Sequence, residues 1–209
     1  MRTTAESITS PDWKDGFLFV GNELALDFLN TRPVQNGDAT ELLPDFAALV
    51  RWFRAAGVLN AHQADELAKK WAESLAGKRT VEDMRQWRER LRKQVIAWEE
   101  GASLQPAMVK EVNRLMAEHP MRFRLSLQKK PATELWFEPH QPQDLFAPLA
   151  HSVAALFAEG DRARVRKCGQ CVLHFNDISK KGTRRWCSMR LCGNRLKVAA
   201  YAARQRAQE

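Results

Sequence analysis

The chain has 209 residues, 44% of them hydrophobic and 28% charged, a composition that supports a buried core and excludes an intrinsically disordered chain. The most apolar stretch, Leu149 to Ala158, is interrupted by His151 and Ser152 and is too short to span a bilayer, and no apolar leader opens the chain, so a cytoplasmic protein is expected. The formal net charge of +8 is unevenly placed: from Asp161 to Glu209 there are thirteen lysines and arginines against three acids, whereas residues 1–160 are slightly acidic. Such asymmetry is the footprint of a polyanion-binding module attached to a neutral domain, although a solvated basic tail would have the same composition.

The elements follow in chain order. Apolar Phe17 to Val20 reads as a short strand, broken by Gly21-Asn22, and Leu24, Leu26, Phe28 and Leu29 as a short helix. Pro44-Asp45 opens a helix in which Phe46, Leu49, Val50 and Phe53 recur at helical spacing, and Gly57 stops it. A helix over Ala61 to Leu75 is followed by a longer one over Val81 to Glu100, where Met84, Trp87, Leu91, Val95 and Trp98 form the apolar stripe and Arg85, Arg88, Arg90, Arg92 and Lys93 are expected in solvent. Pro106 to Glu118 is a helix with proline in its first turn. The period then drops to two in Phe123, Leu125 and Leu127, and after Lys129 to Ala132 a second run from Glu134 to Glu138 completes a β-hairpin. Leu145 to Ala158 is helical again, and the domain boundary is expected near Gly160.

Four cysteines follow, the only ones in the chain: Cys168-x2-Cys171, a gap of fifteen residues, and Cys187-x4-Cys192. Two close pairs joined by a loop supply the tetrahedral thiolate set of one structural zinc ion, and a closed four-thiolate site leaves no position for an activated water. His174 is a possible substitute ligand, but the cysteine set is complete without it, and it reads as a strand residue. Positions five apart on an α-helix differ by about 140°, so Cys187 must precede the C-terminal helix and Cys192 lie in its first turns. A module of this size buries too little surface to fold alone, so metal should fold it.

Between the pairs, Lys180, Lys181, Thr183, Arg184 and Arg185 form a basic loop, expected to be flexible and suited to phosphate oxygens. Arg190, Lys197 and Arg204 recur every seven residues along the following helix, with Asn194 and Arg195 as candidate base readers. Arg184, Arg185 and Arg190 could also offset the charge of the zinc thiolates. Trp186 reads as core of the module.

Arg184-Arg185-Trp186-Cys187-Ser188-Met189 followed by Cys192-Gly193-Asn194-Arg195 and Lys197 resembles the bacterial CGNR zinc-finger family. Phe17 to Gly21 with Leu26-Asp27-Phe28-Leu29-Asn30-Thr31 resembles the opening of the ABATE domain that accompanies that finger. The resemblance implies an α+β chain: a mainly helical ABATE-like domain over residues 1–160, with a short strand and a β-hairpin, and a CGNR-type, treble-clef-like zinc module over 161–209 that ends in a helix. It implies a stress-induced transcription regulator whose finger binds duplex DNA while the N-terminal domain senses a signal or dimerises, a protein that would then be nucleoid-associated. It also directs attention to Asp27, Asn30 and Thr31, which could line a ligand pocket or cap and fix the following turn. An RNA- or acidic-protein-docking module is the alternative. No phosphate loop, metal-spaced His and carboxylate cluster or nucleophile arrangement points to an enzyme.

Overall fold

The computed structural model describes residues 12–35, 38–127 and 130–194. Two compact units share the chain. One is residues 42–160; the other joins the segment up to Glu41 to the segment from Asp161 onward. The sequence suggests one division, near Gly160, whereas the chain passes between units there and again at Glu41–Leu42.

The 42–160 unit is built on helices. Helix α2 (Phe46–Ala55) begins where Asp45 accepts the Ala48 N–H at 2.7 Å, and α3 (Ala61–Trp71) begins with a reciprocal capping box between Asn60 and Gln63. The next helix, α4 (Leu75–Glu99), starts six residues earlier than periodicity indicates, because Ser74 caps it by accepting the Gly77 N–H. Its stripe of Met84, Trp87, Leu91, Val95 and Trp98 is buried as expected. Arg88 is not in solvent: it is fully buried, and its Nε pairs with Glu89 at 3.2 Å. A buried guanidinium without a partner would cost several kcal/mol, so the half-exposed Glu89 compensates the buried charge of Arg88 from the edge of the core. Helices α5 (Pro106–Glu118) and α6 (Phe146–Glu159) pack on each other.

Strands β5 (Arg122–Leu127) and β6 (Pro131–Trp136) form the expected hairpin, in register from Arg122 opposite Trp136 to Leu127 opposite Pro131. Alternation sorts its faces, but the apolar one is bare: Phe123, Leu125 and Leu127 are 73%, 72% and 81% exposed.

In the other unit, β1 (Trp13–Lys14) pairs with β2 (Phe17–Leu18), α1 spans Leu24–Leu29, and the two-residue strands β3 (Val34–Gln35) and β4 (Asp38–Ala39) pair. From Asp161 onward, β7 (Val165–Lys167) pairs antiparallel with β8 (His174–Asn176), and a single π-turn covers Met189–Gly193. Leu18 and Val20 share one apolar cluster with Leu173, Phe175, Cys168, Cys187 and Cys192, with Trp13 and Trp186 packed against it. The cysteine module is thus completed by a segment some 150 residues upstream. The C-terminal helix expected beyond the π-turn, with Arg195, Lys197 and Arg204, lies outside the described residues.

Candidate metal centre

The first cysteine pair sits in the β7–β8 turn. Cys168 N–H donates to the Leu173 carbonyl at 2.8 Å, which closes a tight loop around Gly169 and Gln170. Backbone N–H groups face the sulfurs themselves, Leu173 toward Cys171 and Cys187 toward Cys168. The second pair is set by Ser188. Cys187 precedes it, and both Cys192 N–H and Gly193 N–H donate to the Ser188 carbonyl, the second of these being the bond that widens the turn to π geometry. Ser188 Oγ accepts the Arg190 N–H at 3.1 Å and donates to Asp12 at 2.5 Å. Cys187 therefore lies before the helical turn and Cys192 inside it, as the five-residue spacing requires.

The four sulfurs lie within 4.8 Å of one another, and Cys168, Cys187 and Cys192 are buried. Two edges of the cluster measure 3.6 Å (Cys171 to Cys187) and 3.7 Å (Cys187 to Cys192). A tetrahedron of thiolates about 2.3 Å from a central zinc has edges of about 3.8 Å, whereas a disulfide would be about 2.05 Å. The cysteines are free of disulfides. Thiol donation from Cys171, Cys187 and Cys192 holds the Cys168 thiol far below the usual range, and its hydrogen bond to Cys168 pushes the Cys187 thiol far above it. Four sulfurs this close cannot all ionise beside one another unless a cation compensates them, and a divalent ion does so. The donor set fits one structural zinc ion, held by Cys168, Cys171, Cys187 and Cys192. His174 stays in β8, buried, with its backbone in use.

The basic loop between the pairs is not slack. Asp177, fully buried, accepts Ser179 N–H at 3.0 Å and Arg184 N–H at 2.7 Å. Arg164 donates to the Asp177 and Ser179 carbonyls at 2.9 and 2.8 Å, and Arg166 to those of Gly182 and Arg184 at 2.8 and 3.2 Å. Neither periodicity nor ligand spacing marks these residues. The available signal is Asp177, the only acid between Arg162 and Arg206, a position where burial against N–H groups is the simplest explanation. Burial opposes ionisation of Asp177, yet its hydrogen bonds with Ser179 and Arg184 hold it below the ordinary carboxylate range.

The loop presents Lys180, Lys181, Thr183 and Arg185 to solvent, with the Arg185 guanidinium 5.4 Å from the centre of the Trp186 ring. Arg190 and Asn194, on the π-turn and at its end, are exposed as well. Arg184 is half-buried, its Nε donates to the Trp186 carbonyl at 2.8 Å, and it lies over the Phe175 ring.

Asp27, Asn30 and Thr31 all face inward. Asp27 Oδ1 accepts the Gly21 N–H at 2.7 Å, and a Cβ on Gly21 would come within 2.7 Å of the Asp27 backbone nitrogen, so only glycine permits this approach. Asn30 makes paired hydrogen bonds with the His174 backbone, and Thr31 Oγ1 donates to the Phe28 carbonyl at 2.7 Å. Burial pushes the Asp27 carboxyl up to about 7, against the opposing pull of the Gly21 and Val20 N–H groups.

No curated protein matches the chain. Family models match in two consecutive segments: residues 22–160 fit ABATE, described as "Putative stress-induced transcription regulator", and residues 164–205 fit the CGNR zinc finger. The first match covers more than half of the chain and begins just after Leu18 and Val20, which pack on the cysteine cluster. The chain belongs to the ABATE family and carries a CGNR zinc finger built on Cys168, Cys171, Cys187 and Cys192.

Proposed function

We propose that the protein is a DNA-binding transcription regulator of the stress-induced type, acting in the cytoplasm on the nucleoid, with the zinc module as its DNA-contacting part. The observation that carries this reading is a basic loop held rigid by its own framework. Arg164, Arg166 and Asp177 occupy the loop's backbone groups, which leaves Lys180, Lys181, Thr183 and Arg185 directed to solvent. A loop whose backbone is already held loses little backbone entropy on meeting phosphates. Arg190, Asn194, Arg195, Lys197 and Arg204 extend the same reading toward the C-terminus.

A homodimer belongs to this reading. A single short reading element contacts few base pairs, and two-fold pairing doubles the site. The bare hairpin face supports a second copy as the occupant: Phe123, Leu125, Leu127, Pro131 and Thr133 share one face by register, and none carries charge, so the face can meet its own copy without burying an ion.

The test is binding of the full-length, zinc-loaded protein to a random duplex-DNA pool at two salt concentrations with RNA as competitor. A duplex motif enriched in the presence of RNA is the expected result, and the triple substitution Lys180→Ala, Lys181→Ala and Arg185→Ala should lower the salt slope by about 0.9 for every phosphate no longer neutralised. Capture by RNA, or a salt slope unchanged in the triple variant, overturns the reading.

A further inference from the structure

Among the described residues of the cysteine unit, Ile178 is the large apolar side chain most open to solvent, at 69%. It is also the one large apolar residue between Asp177 and Arg185. A single exposed isoleucine is ordinary on a protein surface, but Ile178 differs in how it is mounted. The backbone around it is committed to hydrogen bonds. Asp177 N–H donates to the Arg164 carbonyl at 2.8 Å, Ile178 N–H to the Asn176 carbonyl at 3.1 Å, and Ser179 N–H to the buried Asp177 carboxylate at 3.0 Å. One guanidinium nitrogen of Arg164 then bridges the two carbonyls that flank Ile178, donating to Asp177 at 2.9 Å and to Ser179 at 2.8 Å.

Gly182 lets this guanidinium lie under the loop. Its φ is +59°, and a Cβ there would come within 3.3 Å of the Arg164 guanidinium carbon. Asp161, 3.5 Å from Arg164 Nε, orients the same side chain. An apolar side chain thus stands on a fixed backbone, and the exposed cations Lys180 and Lys181 follow it closely in the chain. β-branching restricts the isoleucine further, because it leaves few χ1 rotamers. Asp177, the only acid of the loop, is turned inward and occupied by N–H groups.

We propose that Ile178 is a wedge: as the cations seat on phosphates, its side chain enters the minor groove, inserts between two base pairs and bends the duplex. The inference rests on the duplex-DNA reading above and gives it a mode of contact. Isoleucine is among the apolar residues that unstack a base step in this way. Unstacking is easiest at pyrimidine–purine steps, so a wedge supplies a preference for such steps without a hydrogen bond to any base. A lysine that meets a phosphate tolerates a loose backbone, since its charge acts at a distance. A wedge does not, because a backbone that yields retreats instead of parting the bases. The clamp of Arg164 on either side of Ile178 meets that requirement.

The experiment measures energy transfer between dyes at the two ends of a mixed-sequence duplex of about 30 base pairs with a central TA step, bound by the full-length, zinc-loaded protein. The parent should draw the ends together through a bend of about 20–90°. Ile178→Ala should bind about tenfold more weakly and leave the duplex straight, with an unchanged salt slope because no charge is removed. Its melting temperature should not change, since the side chain is exposed. Ile178→Met should keep most of the bend, whereas Ile178→Asn should lose it. A duplex that stays straight when the parent binds it, or that Ile178→Ala bends as far as the parent does, overturns the wedge and leaves the regulator reading standing. Absence of duplex binding at low salt overturns both.

Discussion

The carboxamide of Asn30 and the backbone of His174, 144 residues apart, exchange two hydrogen bonds of 2.8 Å, with the amide donating to the His174 carbonyl and the His174 N–H donating to Oδ1. Both groups are buried. Asn30 thus acts as one residue of an additional strand laid on β8, and it fastens the end of α1 to the strand that follows the first cysteine pair. Gly21 and Asn22 repeat the arrangement at the strand's other end, the Gly21 carbonyl accepting Asn176 N–H and the Asn22 amide donating to the Asn176 carbonyl, each at 2.8 Å.

Asn30→Ala should therefore strand a buried N–H and a buried carbonyl on His174, at about 1–3 kcal/mol for each group. The expected signature is a fall in stability of the cysteine unit, read as earlier zinc loss to a chelator in a urea series. The helical signal of the 42–160 unit should survive at the same urea concentrations. A change below about 0.5 kcal/mol would show that water replaces the amide and that the clamp contributes nothing.

Much of this is legible in local chemistry, and the rest is not for a definite reason. Pro44-Asp45 with Gly57, and Pro106 with its spaced apolar residues, mark helices because caps and breakers act within a turn. The metal site is equally legible, since ligand spacing is a property of sequence. The partnership of Asn30 with His174 has no local sign, and neither does the joining of Leu18 and Val20 to the cysteine cluster, because both arise only when distant segments meet. Arg88 shows another limit: its position in the helical period says which face it shares, while only packing shows that the face is covered. The hairpin is the converse, correctly sorted into two faces with the apolar one left bare.

Zinc removal should affect one unit only. Chelation removes the charge compensation that holds four sulfurs within 4.8 Å, so the cluster of Leu18, Val20, Leu173 and Phe175 should open while α2 to α6 keep their helical circular dichroism. Cys187→Ser should reproduce the effect, and one equivalent of zinc per chain should reverse it in the parent alone. Restoration only by two or more equivalents would contradict a single tetrathiolate site.

The bare hairpin face makes self-association measurable. Phe123→Ser combined with Leu125→Ser removes two large apolar side chains that are more than 70% exposed, so the monomer loses little packing while a dimer would lose the centre of its interface. The parent should sediment as a dimer at micromolar concentration and the double variant as a monomer, with equal helical content. A parent that is already monomeric, or a variant of unchanged mass, removes the hairpin from the dimer reading.

The pH dependence of stability should carry the mark of Asp27. Its carboxyl titrates at about 7 in the folded protein against 3.8 ordinarily, chiefly because burial disfavours the charged form. Between these values the folded state holds a proton that the unfolded chain has released, so stability falls as pH rises through this window. The loss is complete above pH 7 and amounts to up to about 4 kcal/mol at about 1.4 kcal/mol for each pH unit. Asp27→Asn keeps an acceptor for the Gly21 N–H and cannot ionise. The difference in stability between variant and parent, in which the zinc site's own pH dependence cancels, should therefore grow in the variant's favour from pH 5 to pH 8. A difference that stays flat over that range would mean that Asp27 is ionised in the fold, with the N–H groups of Val20 and Gly21 compensating its charge in full.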